Sequence, residues 1–260
     1  MDLHDATRLF LALLGWSLLL QTAEFFRLLT MDRVGSWSIQ REEVPSRPQW
    51  VRSLLDPCMQ GPGYVLLLCL RLGIALALLG GWVNPALALV LFVSSVLLLF
   101  RWRGAFNGGS DFMTLVCVTG LLIAQLIGHF THNPTLGWRA GLWYVTVYVV
   151  SSYFVSGWVK LLRTEWRNGH AMTVFLDGGV YGPLAAHSIY RRPQLAALVS
   201  WTFTVWEGCF PLALLDVRIA WFMCCTAPVF HYLVYWYFGL NRFFWAWLAT
   251  YPAVLYCALG

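Results

Sequence analysis

Eight apolar stretches, each long enough to cross a bilayer, dominate this chain and leave it few folds to choose from. A helical span needs about 20 mostly apolar residues. The runs 9–29, 63–81, 84–100, 112–130, 140–162, 194–215, 219–239 and 243–259 meet that requirement or come close to it. In hydrocarbon every backbone polar group must find its partner within the protein, and a helix satisfies its own. The expected fold is therefore all-α, a polytopic integral membrane helical bundle of about eight transmembrane helices, with the lipid bilayer as its surroundings. Charged residues make up only 11% of the chain, against roughly a quarter in soluble domains, and 59% of it is hydrophobic. That composition excludes a soluble enzyme and a disordered chain. It also argues against nucleic acid as a partner, because the net charge of +5 sits in short Arg-rich loops and not on a basic face. No internal repeat divides the sequence, so 1–260 reads as a single transmembrane domain.

Trp82, Trp102, Trp138, Trp166 and Trp221 fall near the ends of runs, as an interfacial aromatic belt requires. The start, with Asp2 and Asp5 beside Arg8 and no small-residue cleavage site, reads as a retained span and not a signal peptide. Two connections are too polar to span. Residues 31–62 carry Arg33, Arg41, Glu42, Glu43, Arg47 and Arg52. Within them 46–55 reads as a short interfacial helix, with Ser46 as N-cap, Pro48 in the first turn, and Trp50, Val51, Leu54 and Leu55 on one face. Residues 163–192 are punctuated by Gly169, Gly178, Gly179, Gly182 and Pro183, with a short helix expected near 184–190. Arginines outside the runs sort unevenly. Arg8, Arg139 and Arg218 fall on one side. Arg33, Arg41, Arg47, Arg52, Arg101, Arg103, Arg163, Arg167, Arg191, Arg192 and Arg242 fall on the other. The positive-inside rule makes the second side, with the Arg-rich loops, cytoplasmic and places both termini outside.

A charge inside the hydrocarbon costs several kcal/mol and needs a reason. Glu24 and Arg27 are spaced to pair on one helix face, and Arg71 is expected to pair with Glu24 or Glu207. These groups either hold the bundle together or line a polar cavity for a headgroup or substrate. Lys160 stands apart as the only lysine among seventeen basic residues. An amine stripped of water can lose its proton, which a guanidinium cannot, so Lys160 is a candidate base; the alternative is a snorkelling anchor. The seven cysteines show no CxxC and no regular spacing, and the histidines show no metal-ligand pattern. His231, within Pro228–Tyr232, reads as a hydrogen-bonded core residue.

Three stretches carry a resemblance. They are Phe106-Asn107-Gly108-Gly109-Ser110-Asp111-Phe112-Met113; Tyr153 to Leu161 with Glu165-Trp166-Arg167-Asn168-Gly169-His170-Ala171; and Trp206-Glu207-Gly208-Cys209-Phe210-Pro211-Leu212 with Phe238-Gly239-Leu240 and Phe243. Together they resemble the HTTM family, the membrane domain shared with vitamin K-dependent gamma-carboxylase, over most of the chain from about residue 100. The resemblance implies Lys160 as the base that deprotonates a hydroquinone, with a quinone or hydroquinone as possible cofactor. Asn107, Asp111 and Glu207 are then expected around one polar cavity with Lys160 as substrate-binding candidates, and the intramembrane charges Arg71 and Glu24 join them. The carboxylase's catalytic histidine is replaced here by Gly109, and the Leu161–Trp166 spacing is one residue longer than usual. The family includes small bacterial peptide-toxin maturation proteins, which implies a bacterial inner-membrane location and a small secreted peptide as possible substrate. The carboxylase works at the lumenal face, whereas the arginine count puts Lys160 on the cytoplasmic side. The rival reading is a non-catalytic binding or assembly subunit with a partner membrane protein, its charges being structural pairs. A transporter is disfavoured by the lack of repeats.

Overall fold

The computed structural model describes residues 1–31, 37, 49–102 and 108–258. Its elements are α1 (Leu3–Leu29), α2 (Gln49–Met59), α3 (Gly61–Leu79), α4 (Pro85–Trp102), α5 (Gly108–Phe130), α6 (Pro134–Leu161), α7 (Thr164–Arg167), α8 (His170–Asp177), α9 (Pro193–Gly208), α10 (Val217–Phe238), α11 (Asn241–Leu248) and α12 (Tyr251–Cys257). Single 3₁₀ turns cover Ile189–Arg191 and Phe210–Leu214. All regular structure among the described residues is helical. Among the described residues six helices, α1, α3, α4, α5, α6 and α10, are long and apolar enough to cross a membrane.

Local chemistry sets the helix ends. Asp2, Asn84, Asn133 and Asp216 each accept a hydrogen bond from a first-turn amide of α1, α4, α6 and α10, the usual work of an N-cap. Pro85, Pro134 and Pro193 follow as first helical residues, where a missing N–H costs nothing. At the other end of α10, Gly239 adopts a left-handed φ of 71°, a conformation that costs glycine nothing.

Two of the eight expected runs are broken. The run 194–215 is a 16-residue helix, α9, that tightens into the 3₁₀ turn at Cys209-Phe210-Pro211. The run 243–259 divides at Ala249-Thr250 into α11 and α12. α12 lies in the middle of the bundle, packed on α1, α6 and α10, with Tyr251, Pro252, Ala253, Val254, Leu255 and Cys257 all buried.

Elsewhere small residues bring helices together, as expected where lipid offers no hydrophobic drive for association. A Cβ on Gly141 would lie 2.3 Å from Gly120 O, and one on Gly137 would lie 2.2 Å from Ala124 O, so α5 and α6 meet backbone to backbone. Gly15 brings α1 close to α3, where a Cβ would lie 2.8 Å from Ala75 O. Within the first polar connection, where a helix is expected over 46–55, a helix runs Gln49–Met59; the expected cap Ser46 and Pro48 lie outside the described residues. In the second connection, 164–177 forms α7 and α8, while the helix expected at 184–190 is only the 3₁₀ turn Ile189–Arg191. Arg101 and Arg242, counted above as loop arginines, are 2% and 4% exposed. Arg101 packs over the rings of Tyr64 and Trp102, and Arg242 over Phe25.

Candidate functional site

The sequence-predicted polar residues fall into two clusters, not one. The first joins α6 to α9. Tyr153, Ser156, Gly157 and Lys160 recur at helical spacing along one face of α6. That face presses on α9 so closely that a Cβ on Gly157 would lie 2.4 Å from Gly208 N. The contact brings Lys160 Nζ onto Glu207 Oε2 in a hydrogen-bonded ion pair. Nζ also donates to Ser156 Oγ at 3.0 Å, and Ser156 Oγ donates to Glu207 Oε1 at 3.3 Å. Nζ lies 4.3 Å from the Phe203 ring centroid and 5.2 Å from that of Trp166. The lysine side chain is 15% exposed and that of Glu207 5%. A snorkelling anchor carries its amine out to the headgroups; here the amine turns inward to a carboxylate, a hydroxyl and two aromatic faces.

The second cluster gathers Arg71, Glu24 and Asp111 at the meeting of α1, α3, α4, α5 and α11. Arg71 is 2% exposed and, contrary to the sequence expectation, pairs with neither Glu24 nor Glu207, whose partners are Arg242 and Lys160; the carboxylate that borders its cavity is Asp111. Its guanidinium donates to Ser95 Oγ at 2.8 Å, Gln21 Oε1 at 3.2 Å and Ser94 Oγ at 3.4 Å, while Nε has no partner. Gln21 Nε2 continues the chain to Thr114 Oγ1 at 2.6 Å. Glu24 pairs with neither Arg71 nor Arg27. It accepts from Arg242 Nε and, at 2.7 Å, from Asn241 Nδ2, and Arg27 is exposed. Arg242 Nη1 lies 3.6 Å from Asp111 Oδ1. The cavity among Gln21, Arg71, Ser95, Asp111 and Thr114 is about 10 Å³, room for about one water and not for a headgroup. Asn107 lies outside the described residues.

Deeper along the Lys160 face, Tyr153 Oη lies 2.5 Å from His231 Nε2 and 2.9 Å from Tyr251 Oη. The Tyr153 ring stacks on Phe210 and meets Trp206 edge-on; His231 stacks on Trp247. His231 is thus a hydrogen-bonded core residue, as the sequence suggested, although its Nδ1 is buried with no hydrogen-bond partner among the described residues. Sequence reasoning missed Tyr153, Tyr251, Gln21, Ser94, Ser95, Thr114 and Asn241. The available signal was a polar side chain interrupting an apolar run. A further cavity of about 190 Å³, bordered by Pro85, Gln125, His129, Pro134 and Trp138, touches none of the predicted site residues. Among the described residues no group of three or more His, Cys, Asp or Glu is placed to hold a metal ion.

Set against family models, curated proteins and solved structures, the chain matches none of them.

Proposed function

We propose that this integral membrane protein is an HTTM-type enzyme, acting on or helping to mature a peptide or lipid-quinone substrate, with Lys160 as its base. What supports the reading is one observation: the chain's only lysine is turned into the bundle against Glu207 and Ser156. Glu207 is then the group that shares the proton with the amine, and Ser156 orients both. The proposal includes eight crossings. The α9 helix and its 3₁₀ turn together reach about 34 Å, against roughly 30 Å of hydrocarbon; α11 with α12 reach about 26 Å and are proposed as the last, shorter crossing. Four crossings, α3 to α6, separate the 31–62 and 163–192 connections, so the two share one face, which the arginines make cytoplasmic.

A second reading, the assembly subunit, draws on the Arg71 cluster, whose groups bond mainly to one another around a cavity too small for a headgroup. The two readings part on a charge-conserving change. In a deletion strain complemented with wild type or Lys160→Arg at equal protein levels, the enzyme reading expects Lys160→Arg to fail. The readout is mass spectrometry of membrane quinones and secreted peptides, because Arg supplies charge without a neutral form. Full restoration by Lys160→Arg assigns Lys160 to structure.

A further inference from the structure

The connection between α6 and α9 exposes apolar side chains although it is firmly held. No residue of α7, α8 or the 3₁₀ turn Ile189–Arg191 is buried. Yet Ser200 Oγ donates to Trp166 O at 2.5 Å, Trp201 Nε1 to Arg167 O at 2.9 Å, and Val180 N to Tyr237 O at 3.0 Å. Arg191 grips both oxygens of Asp177, which also accepts from Leu184 N. A Cβ on Gly169 would lie 2.3 Å from Ala197 N, so the turn before α8 seats directly on α9. The result is a fixed platform at the ends of α6 and α10. It presents Leu162, Val174, Val180, Tyr181 and Ile189, each more than half exposed.

Arginines interleave with these residues. Arg191 is taken by Asp177. Arg163, Arg167 and Arg192 are exposed, and Glu165 is the one other carboxylate between 163 and 192. Exposed apolar residues and unneutralised arginines alternating along one firmly held connection, which joins two spanning helices, suit the boundary between acyl chains and anionic headgroups.

We propose that residues 162–192 form a docking platform for anionic phospholipid. Arg163, Arg167 and Arg192 receive headgroup phosphates, and Leu162, Val174, Val180, Tyr181 and Ile189 enter the acyl boundary. The platform does not depend on the role of Lys160, although Trp166 of α7 covers that amine, so a lipid bound here lies at the rim of the Lys160 site.

The test is native mass spectrometry of the full chain released from detergent, offered dioleoyl-phosphatidylglycerol or dioleoyl-phosphatidylcholine at equal concentration. Wild type retains phosphatidylglycerol preferentially. Arg163→Gln, Arg167→Gln and Arg192→Gln each weaken retention about fivefold, the equivalent of ~1 kcal/mol per arginine near an anionic surface, and the triple variant loses the preference. The triple Arg→Lys variant, which keeps the charge, retains it, and Arg218→Gln at the opposite end of α10 leaves it unchanged. Because the three side chains are exposed, unaltered melting temperatures check that the variants are folded. Equal retention of both lipids by wild type, or an undiminished preference in the triple Gln variant, overturns the proposal. So does a triple Gln variant that keeps the lipid preference but loses binding to an oligo-glutamate peptide, which gives the platform to an acidic protein instead.

Discussion

Replacing Glu207 with Gln removes the carboxylate from Lys160 while keeping the volume of the side chain and its ability to bond Ser156. Breaking a buried ion pair by removing one partner costs about 3–5 kcal/mol, because the remaining charge is left alone in a poor solvent. The lysine side chain is 15% exposed, so some solvation survives and the lower end, about 3 kcal/mol, applies. For a chain of this size each kcal/mol moves the melting temperature by about 2–4 °C. Glu207→Gln therefore melts roughly 6–12 °C below wild type. The double variant Lys160→Met with Glu207→Gln carries no uncompensated charge and recovers at least half of the loss, as neutral replacements of buried pairs do. The assay is tryptophan fluorescence during thermal denaturation in one detergent at one pH, for wild type, both single variants and the double. A Glu207→Gln protein that melts within about 1 °C of wild type, or a double variant no better than the single, would refute the pairing, because both groups would then be solvated.

Gly157→Ala places a Cβ 2.4 Å from Gly208 N and 2.8 Å from Thr204 O, both backbone atoms, and should destabilise by at least about 1–3 kcal/mol. Gly208→Ala, whose Cβ meets nothing within 4 Å, should stay within about 0.5 kcal/mol, and parallel thermal melts compare the two. Tyr153→Phe keeps the ring on Phe210 and leaves both nitrogens of His231 without partners, a loss of about 1–3 kcal/mol. Tyr251→Phe, which spares the Tyr153–His231 bond, should cost less in the same melts. Gln21→Leu strips Arg71 and Thr114 of a shared partner and should cost about 1–3 kcal/mol in detergent, whereas Arg27→Gln on the exposed face of α1 should cost nothing measurable.

Periodicity and punctuation made most of the helices legible. The runs beginning at 84, 140 and 219 lie close to helices that start at Pro85, Pro134 and Val217; the caps Asn84, Asn133 and Asp216 mark those starts more sharply than hydropathy does. The two broken runs also left a trace, since Pro211 and Pro252 fall within stretches read as continuous. Hydropathy alone smooths over such points because the flanking residues are equally apolar. The polar partners were much harder to foresee. Lys160 and Glu207 are separated by 47 positions; a shared cavity was expected, but their direct pairing follows from the packing of α6 on α9, closest at Gly157 and Gly208. Arg71 was expected to need a carboxylate, but a guanidinium has five donors, and two serines with a glutamine satisfy it in part. Arg242 reads as a loop residue because it follows Gly239-Leu240-Asn241. It is buried because α11 folds back on α1, a tertiary fact that no local pattern carries.

The central claim is that Lys160 is held inside the bundle by Glu207 and is not an anchor reaching the headgroups. Because the chain has one lysine, a water-soluble amine-acylating reagent can modify only Lys160 and the N-terminus, and peptide mass spectrometry reads the two separately. In the folded protein the N-terminus should acylate while Lys160 stays unmodified over the same period, and both should react once the chain is unfolded. Glu207→Gln should raise the folded-state reactivity of Lys160. Acylation of Lys160 in the folded wild type as fast as the N-terminus, unchanged in Glu207→Gln, would contradict the claim and return the lysine to the membrane surface.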